Sequence, residues 1–450
     1  MRELPPGWAW TTLGEIADIG PSRNRSKIAP ATLVSFVPMA NVEAGTGVLD
    51  PSETREWQQV SKGYVPFSEG DVLFARITPC MENGKVALAR DLTNGLGAGS
   101  TEFHVVRARE SIEPVFLLHY LLQIRIRRDA RAVMQGAAGQ LRVPASFLQT
   151  LALPLPPLAE QRRIVTEIEK QFTRLDATIA SLRRAQANLK RCRKGETEAA
   201  FAAYSSAPTR RLGDLGEIVG GVTKGQKRKP GIPTRPVPYL RVANVQRGHL
   251  NLDQIKQIDA TEEEICSLRL TPGDVLLNEG GDRDKLGRGW IWEGQIAECI
   301  HQNHVFRVRL NPLLAVPKFV SHYANHFGQK YFFDEGKQTT NLASINMTKL
   351  RALPIPSPPV AEQEKLVNGL EDHLSQIDDL DHSVDSNLRR AALLRQAILQ
   401  KAFEGKLVPQ DPSDEPASVL LERIRSTPKP APRLKKQKNL WPQMNADERR

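Results

Sequence analysis

Few residues in this chain stand at a spacing that would support catalysis or metal binding. His301 and His304 are a close pair in a β-rich context. No further ligand follows at a zinc-site spacing, so we expect a surface position or a contact to a base rather than a metal site. The run Asp282-Arg283-Asp284-Lys285 has the residue types of a metal-dependent nuclease, but it forms one polar stretch. We expect a solvated or phosphate-facing loop there.

Motifs for cofactor binding are missing from the sequence. Asn311-Pro312-Leu313 resembles the start of the Asn-Pro-Pro-aromatic motif of amino-methyltransferases, but the second proline and the aromatic residue are absent. No glycine-rich cofactor loop precedes it, and no Gly-x-x-x-x-Gly-Lys-(Ser/Thr) motif for ATP occurs. We therefore predict that this chain has no catalytic, cofactor-binding or metal-binding residues of its own.

Two Ala-Glu-Gln motifs, at 159–161 and 361–363, each follow a pair of prolines. Their carboxylates, Glu160 and Glu362, could be taken for catalytic acids. An acid in the first turn of a helix that follows a Pro-Pro stop instead favours the helix dipole and the free N–H groups. We expect a structural role for both, and a rigid hinge from the Pro-x-Pro-Pro segments.

Charge narrows the class of partner. Sixty-two Lys and Arg residues against 51 Asp and Glu give a formal net charge of +11 and a pI of about 9.5. Such an excess favours a polyanion, because each cation placed against a phosphate releases a counterion. We expect no signal peptide, no membrane segment and, from four widely spaced cysteines, reduced thiols in a cytoplasm.

The sequence contains an internal repeat, in which the same motifs occur twice in the same order. Ala40-Asn41-Val42 returns as Ala243-Asn244-Val245, an offset of 203 (244 − 41), and Gly70-Asp71-Val72-Leu73 returns as Gly273-Asp274-Val275-Leu276 at the same offset. Pro156 to Gln161 returns as Pro358 to Gln363 at an offset of 202. This period is far too long for a solenoid, so each copy should be a domain with its connector.

Each copy divides into a globule and a long helix. Short β-rich runs punctuated by Gly, Pro and Asn, with a helical pattern at 114–134, predict an α+β globule. From Ala159 to Ala203 no proline occurs, and apolar residues follow a 3-4 spacing typical of a helix-pairing seam. The seam of the first copy comprises Val165, Ile168, Phe172, Leu175, Ile179, Leu182 and Leu189, and that of the second Val367, Leu370, Leu374, Ile377, Val384 and Leu388. The two seams should cover each other.

The chain resembles the specificity (S) subunits of Type I restriction–modification systems over nearly its whole length. The resemblance rests on Leu4-Pro5-Pro6-Gly7-Trp8, on the Gly-Asp-Val-Leu strands, on the two Pro-x-Pro-Pro-(Leu/Val)-Ala-Glu-Gln motifs and on the segment Ala402 to Pro409. It implies two α+β target-recognition domains, each followed by a long helix, with the two helices paired as an antiparallel coiled coil that holds the domains apart. The expected boundaries are 1–158 and 206–358 for the domains, 159–205 and 359–410 for the helices, and 411–450 for a short helix and a basic tail.

The resemblance also implies the function and the partners. The chain would recognise a bipartite site in double-stranded DNA without catalysing a reaction, and would position DNA methyltransferase subunits, two in number, and a motor–nuclease subunit. S-adenosylmethionine, ATP and Mg would then be bound by those partners. A self-contained DNA-modifying enzyme with fused recognition domains is the alternative, but the cofactor motifs it needs are missing. A coiled-coil scaffold unrelated to DNA is a third possibility, which the duplicated globules and the positive charge disfavour.

Basic residues in the loops are the candidates for DNA contact, because Arg can donate two hydrogen bonds to guanine and Lys interacts with phosphate as a point charge. In the first copy they are Arg23, Arg25, Lys27, Arg76, Lys85 and Arg142; in the second they are Lys224, Lys227, Arg228, Lys229, Arg283, Lys285, Arg288 and Lys337. Gln186 and Asp381 are the polar exceptions in the seams. We expect a register-setting contact between them in an antiparallel pair.

Overall fold

The computed structural model describes residues 3–21, 28–137, 139–225, 231–281, 285–338 and 343–426. Its internal contacts divide the chain into two compact units. Unit 1 contains residues 1–179 and 388–450, and unit 2 contains residues 180–387. No helix in the described ranges is long and apolar enough to cross a membrane.

Unit 1 contains two four-stranded sheets and a two-stranded ribbon. Its strands are β1 Ala9–Thr12, β2 Ala17–Ile19, β3 Leu33–Val37, β4 Thr54–Glu56, β5 Val65–Ser68, β6 Val72–Ala75, β7 Val86–Leu88, β8 Leu96–Gly99, β9 Phe103–Ala108 and β10 Ala152–Leu155. Its helices are α1 Leu13–Ile16, α2 Trp57–Val60, α3 Pro114–Leu121, α4 Ile124–Ala132, α5 Ala145–Thr150 and the first part of α6 Leu158–Ala202. The sheets have the orders β2-β9-β6-β7 and β4-β3-β8-β5, and β1 pairs with β10.

Unit 2 repeats part of this plan: in its described residues it has one four-stranded sheet, two three-stranded sheets and two two-stranded sheets. Its strands are β11 Thr209–Arg211, β12 Gly216–Val219, β13 Arg235–Leu240, β14 Val245–Gln246, β15 His249–Leu250, β16 Lys256–Ala260, β17 Val275–Asn278, β18 Gly280–Gly281, β19 Gly289–Ile291, β20 Ile300–His301, β21 Val305–Leu310, β22 Lys337–Gln338, β23 Ala343–Ser344 and β24 Pro354–Pro356. Its helices are α7 Leu212–Leu215, α8 Glu262–Leu268, α9 Pro317–His326, α10 Gly328–Glu335, α11 Met347–Arg351 and part of α12 Val360–Phe403, while α13 Ala417–Ser426 belongs to unit 1. The sheet β12-β21-β17-β19 has the same connectivity as β2-β9-β6-β7, so the sequence repeat is a repeat of topology.

The central strand of each main sheet is buried throughout, and its residues are apolar except for Asn278 at the end of β17. All four residues of β6 and all four of β17 are buried, which explains their continuous hydrophobic runs rather than an alternating pattern. The helix that covers each sheet begins with a proline, Pro114 in α3 and Pro317 in α9. Proline suits the first helical position because its missing N–H would be unpaired there in any case. The sequence therefore places the sheet and its covering helix in the same way twice.

The single helix predicted over 114–134 is two helices. The backbone of Gln123 is extended, with φ −64° and ψ 137°, between α3 and α4. The buried amide of Gln123 donates to the carbonyl of Tyr120 at 3.1 Å, and the N–H of Ile124 donates to Oε1 of Gln396 on α12 at 2.8 Å. The bond to Gln396 comes from a distant part of the chain and satisfies an N–H that the helix break exposes, which the apolar spacing could not reveal.

The sequence predicted 159–205 and 359–410 for the two long helices. α6 spans Leu158–Ala202, and α12 spans Val360–Phe403, so the second helix ends earlier than predicted. α6 and α12 pack together and run antiparallel. Within unit 1 Asp176 forms an ion pair with Arg395, and within unit 2 Arg193 forms one with Asp378. As the residue number rises along α6, that of the partner on α12 falls.

The seam residues are all at least partly removed from solvent, as the spacing predicted. Those classed as buried are Ile168, Phe172, Leu175, Val367, Leu370, Leu374 and Val384; those half-buried are Val165, Ile179, Leu182, Leu189, Ile377 and Leu388. Ile164, which the seam omitted, is fully buried, because the first turns of α6 also pack into the unit 1 core. The seam pattern therefore accounts for helix pairing but not for the docking of the helix start.

Each long helix ends on aromatic residues. In unit 2, Phe201 at the end of α6 contacts the ring of Phe319 with centroids 5.0 Å apart. In unit 1, Phe403 at the end of α12 contacts Phe116 and Tyr120 at 4.9 and 5.1 Å. These aromatic contacts anchor the ends of both helices by burying large apolar surfaces.

Candidate nucleic-acid interface

A buried carboxylate fixes the start of the central strand in both units. Arg107 donates two hydrogen bonds of 2.7 Å to Asp71, and Arg309 donates two of 2.8 and 2.7 Å to Asp274. The same carboxylates accept from a backbone N–H three residues earlier, at 2.7 Å in each unit. Hydrogen bonding to Asp71 raises the pKa of Arg107, and hydrogen bonding to Asp274 raises that of Arg309. The Gly-Asp-Val-Leu motif is therefore a structural element that positions the strand and the loop beyond it.

The glutamine of each Ala-Glu-Gln motif joins the long helix to its globule. Gln161 accepts from the N–H of Glu113 at 2.9 Å and donates to two carbonyls at 3.0 and 3.1 Å. Gln363 accepts from the N–H of Val316 at 2.9 Å and donates to two carbonyls at 3.1 and 2.9 Å. Both amides are buried, so three bonds each hold the helix start against the residue that caps α3 or α9. The sequence predicted a structural motif here but attributed it to the glutamate.

The two glutamates of these motifs differ. Glu160 is buried and accepts from Trp8 Nε1 at 3.0 Å and from Gln410 at 3.2 Å, whereas Glu362 is exposed. Burial raises the pKa of Glu160, against the lowering effect of those hydrogen bonds. The glutamate of the first copy therefore ties the chain start to the segment after α12 within unit 1.

Two arginines predicted to contact DNA share one carboxylate in unit 1. Arg76 directly follows β6, and Glu102 directly precedes β9 at the same end of the sheet. Nε of Arg76 donates to Glu102 at 3.2 Å, and Arg142 donates to Glu102 through Nε and Nη2, with a shortest distance of 2.8 Å. Hydrogen bonds from Arg142, then Arg76, lower the pKa of Glu102 despite partial burial. The structure thus brings Arg76 and Arg142 together, around an acid that the sequence did not single out.

The corresponding end of the unit 2 sheet holds a different pair. Glu279 directly follows β17, and His304 directly precedes β21. Nδ1 of His304 lies 2.6 Å from Oε2 of Glu279, and this hydrogen bond becomes an ion pair when the imidazole is protonated. The other histidine, His301, is fully buried with Nδ1 2.6 Å from the carbonyl of Val305, and burial lowers its pKa to about 4. In the described ranges no three His, Cys, Asp or Glu residues cluster as metal ligands.

Two other basic candidates hold backbone carbonyls. Nζ of Lys85 donates to the carbonyl of Met39 at 2.7 Å, and Nη2 of Arg288 donates to that of Val242 at 3.4 Å. Both pairs are separated by 46 positions, and each basic residue directly precedes the strand that follows, β7 or β19. These side chains anchor a loop in each unit, and their contact with DNA stays a prediction.

The remaining candidates are scattered or outside the described part of the chain. Lys224 is exposed after β12, Lys285 is half-buried in the loop between β18 and β19, and Lys337 stands in β22. Seven lie outside the described residues: Arg23, Arg25, Lys27, Lys227, Arg228, Lys229 and Arg283. Among the predicted DNA contacts in the described ranges, Arg76 and Arg142 share one carboxylate, and Lys285 and Arg288 lie in one loop, where the N–H of Arg288 donates to the carbonyl of Lys285 at 3.4 Å. Of the residues around these pairs, His304 was singled out by the sequence as one of two close histidines, and Glu279 is equivalent to Arg76 at the 203-residue offset of the repeat, whereas no sequence signal marked Glu102.

A duplicated α+β domain, each copy followed by a long helix that pairs antiparallel with the other, defines the class of this protein. A family model described as the Type I restriction modification DNA specificity domain matches residues 5–191 and again 206–384. The chain belongs to this family, the specificity subunits of Type I restriction–modification systems.

Relatives support this assignment over the length of the chain. The chain is 25% identical over 499 residues to the EcoEI specificity subunit of Escherichia coli, covering 89% of this chain and 83% of that relative. It is 40% identical over 174 residues to the EcoAI specificity subunit of Escherichia coli, covering 38% of this chain and 28% of that relative. The EcoAI match is thus closer but local.

Solved structures share the fold. One chain, from a study of complex assembly and conformational transition of the type I R-M system, matches with a TM-score of 0.72 at 23% identity over 90% of this chain and 100% of its own length. The HsdS subunit of Thermoanaerobacter tengcongensis matches with a TM-score of 0.54 at 24% identity, over 90% of this chain and 98% of that one.

Proposed function

We propose that this chain recognises a bipartite site in double-stranded DNA, with each α+β copy contacting one half-site, and that it has no catalytic activity of its own. The proposal rests on one observation: the two units share the contacts that support the main sheet but differ in the side chains at the end of its central strand. Both units keep the buried Asp–Arg pair and the buried glutamine that joins the long helix to its globule. They differ in the side chains at the end of the central strand, where unit 1 has Arg76 and unit 2 has Glu279. Divergent side chains on one scaffold suit two different half-sites.

We infer that the paired helices carry the partners. DNA methyltransferase subunits, two in number, would dock along α6 and α12, and a motor–nuclease subunit would join that complex. S-adenosylmethionine, ATP and Mg would be bound by those subunits, and the methyltransferase would flip the target adenine out of the duplex. Large apolar side chains exposed on α12 support a partner there, namely Leu380, Leu393 and Leu394.

The experiment compares methylated adenines in the genome of the source cell with and without this gene. The proposal predicts methylation at one bipartite motif that disappears on deletion and returns when the gene is restored. The purified chain alone should transfer no methyl group to DNA. Methyl transfer by the single chain, or a methylation pattern that is independent of the gene, would contradict the proposal.

A further inference from the structure

Arg76 and Glu279 occupy the same place in the two copies. The N–H of Arg76 donates to the carbonyl of Glu102 at 2.9 Å, and that of Glu279 donates to the carbonyl of His304 at 3.0 Å. The carbonyl of Arg76 accepts from Val143 and that of Glu279 from Ile345, both at 2.8 Å. The backbone around these positions is therefore the same in both units.

The acidic and the basic side chain occupy opposite positions in the two units. In unit 1 the basic group, Arg76, follows the central strand and the carboxylate of Glu102 precedes the neighbouring strand. In unit 2 the carboxylate of Glu279 follows the central strand and the basic group, His304, precedes the neighbour. A pair needed only for stability has no reason to reverse, and the buried Asp–Arg pair of the same sheets keeps its polarity in both units.

Arg76 and Glu279 each use one side-chain atom in the ion pair and leave other polar atoms without a hydrogen bond to described residues. Arg76 uses Nε for Glu102, and in the described part of the chain its two terminal amino groups make no hydrogen bond. Glu279 uses Oε2 for His304, and Oε1 has no side-chain or backbone donor among the described residues. The side chains of Arg76 and Glu279 are 35% and 28% exposed. A side chain that is already held loses less entropy when it binds a ligand.

The polar atoms that Arg76 and Glu279 leave without a partner are complementary to different bases. The two terminal amino groups of an arginine fork onto O6 and N7 of guanine, and a carboxylate oxygen accepts from the N4 amino group of cytosine, both in the major groove. Resting on the proposed DNA-reading function, we propose that Arg76 specifies a guanine in one half-site and Glu279 a cytosine in the other. Glu102 and His304 hold the two side chains for this contact.

The experiment uses the complete complex of this chain with its methyltransferase subunits. Methylation rates are measured on duplexes carrying the wild-type site and on duplexes in which each base pair of the site is replaced in turn. The variants are Arg76→Gln, Arg76→Lys and Glu279→Gln. Arg55→Gln and Glu262→Gln are the matched controls, because each removes a charge from an exposed ion pair elsewhere in the same unit.

We expect Arg76→Gln to lose about 5- to 150-fold of the discrimination at one G·C pair of one half-site, the range of a good bidentate contact. Arg76→Lys keeps the charge and should lose discrimination as well, because an ammonium lacks the planar fork. Glu279→Gln should relax one C·G pair in the other half-site only. The untouched half-site reports folding in each variant, since a misfolded subunit would lose recognition of both halves.

Two results would overturn the inference. If the Arg76 and Glu279 variants keep the discrimination of the controls at every position while the wild-type complex methylates a bipartite site, these residues do not specify bases and the proposed function stands. If the wild-type complex methylates no bipartite site, the proposed function fails and this inference fails with it.

Discussion

Gln186 on α6 donates a hydrogen bond from Nε2 to Oδ1 of Asp385 on α12, over 2.8 Å, in the part of the helix pair that belongs to unit 2. Both side chains are half-buried. The sequence predicted Asp381 as the partner of Gln186, and this was wrong by one helical turn. A polar pair between two paired helices fixes their register because any shift leaves its members unpaired.

Replacement of Gln186 by Leu should therefore destabilise the protein. Asp385 would lose its partner in a half-buried position, for an expected loss of about 1–3 kcal/mol in the free energy of unfolding. The double variant Gln186→Leu/Asp385→Leu should recover most of that loss. Gln376→Leu, on an exposed face of α12, is the control and should stay within about 0.5 kcal/mol of wild type in denaturant unfolding. Equal stability of all three variants would exclude a role for the pair.

His119 should make unit 1 sensitive to acid. It is buried, neither ring nitrogen has a hydrogen-bond partner in the described part of the chain, and its ring meets Phe172 edge-on at 5.5 Å. Burial, with the nearby charges of Arg395 and Arg90, lowers its pKa from 6.5 to about 3. Protonation thus favours the unfolded state, and stability is lost as the pH falls from about 6.5 towards 3, by at most about 1.4 kcal/mol per pH unit.

Substitution His119→Leu should remove that part of the pH dependence. The difference in unfolding free energy between variant and wild type should grow in favour of the variant as the pH falls through this window. His249→Leu, at an exposed position, is the control. A constant difference between His119→Leu and wild type from pH 7 to pH 4 would show that His119 does not contribute to acid sensitivity.

The basic run Lys227, Arg228 and Lys229, outside the described residues, should contribute through phosphates. Replacing all three by Ala should weaken DNA binding and reduce the slope of log affinity against log salt by about one for each lost phosphate contact. The loss should be equal on cognate and unrelated duplexes, because phosphates carry no sequence information. A titration with unchanged affinity and slope would remove this run from the interface.

We expect the length of the long helices to set the distance between the half-sites. α6 has 45 residues, which at 1.5 Å per residue is roughly 67 Å. Four residues inserted after Leu182, with four in α12 after Leu388, should add about 6 Å and nearly restore the seam. Methylation mapping should then show the same half-sites with about one or two more base pairs between them, at about 3.4 Å per pair.

The control for this experiment inserts two residues at each place. Two residues turn the helix by roughly 200° and should abolish function, because the apolar seam would face away from its partner. An active four-residue variant with an unchanged spacer would refute the role of the helices in spacing.

Local pattern was enough to predict the repeat, the α+β class and the long helices. Their seam follows from a 3-4 spacing of apolar residues, and their starts follow from proline pairs. What could not be predicted depends on contacts between distant residues. Gln161 and Gln363 stand in a motif that was noticed, but only the fold shows that their amides bridge to α3 and α9.

At the candidate site, too, the residue types could be predicted from the sequence but their contacts could not. Basic residues can be counted in a sequence, yet Lys85 and Arg288 prove to hold backbone carbonyls, and Arg76 and Arg142 prove to share Glu102. Which of these side chains meets an acid, a carbonyl or open solvent is decided by strand register. Arg76 and Glu279 are already equivalent at the 203-residue offset of the repeat (279 − 76), but only the strand register shows which residue of the neighbouring strand each one meets.

The central claim is that each copy recognises its own half-site. It is tested most directly by exchanging residues 206–358 for the corresponding domain of a relative with a different target and sequencing the methylated adenines produced by the complete complex. The account predicts a hybrid site in which one half is unchanged and the other half is that of the relative. A site changed in both halves, or in neither half, would contradict it.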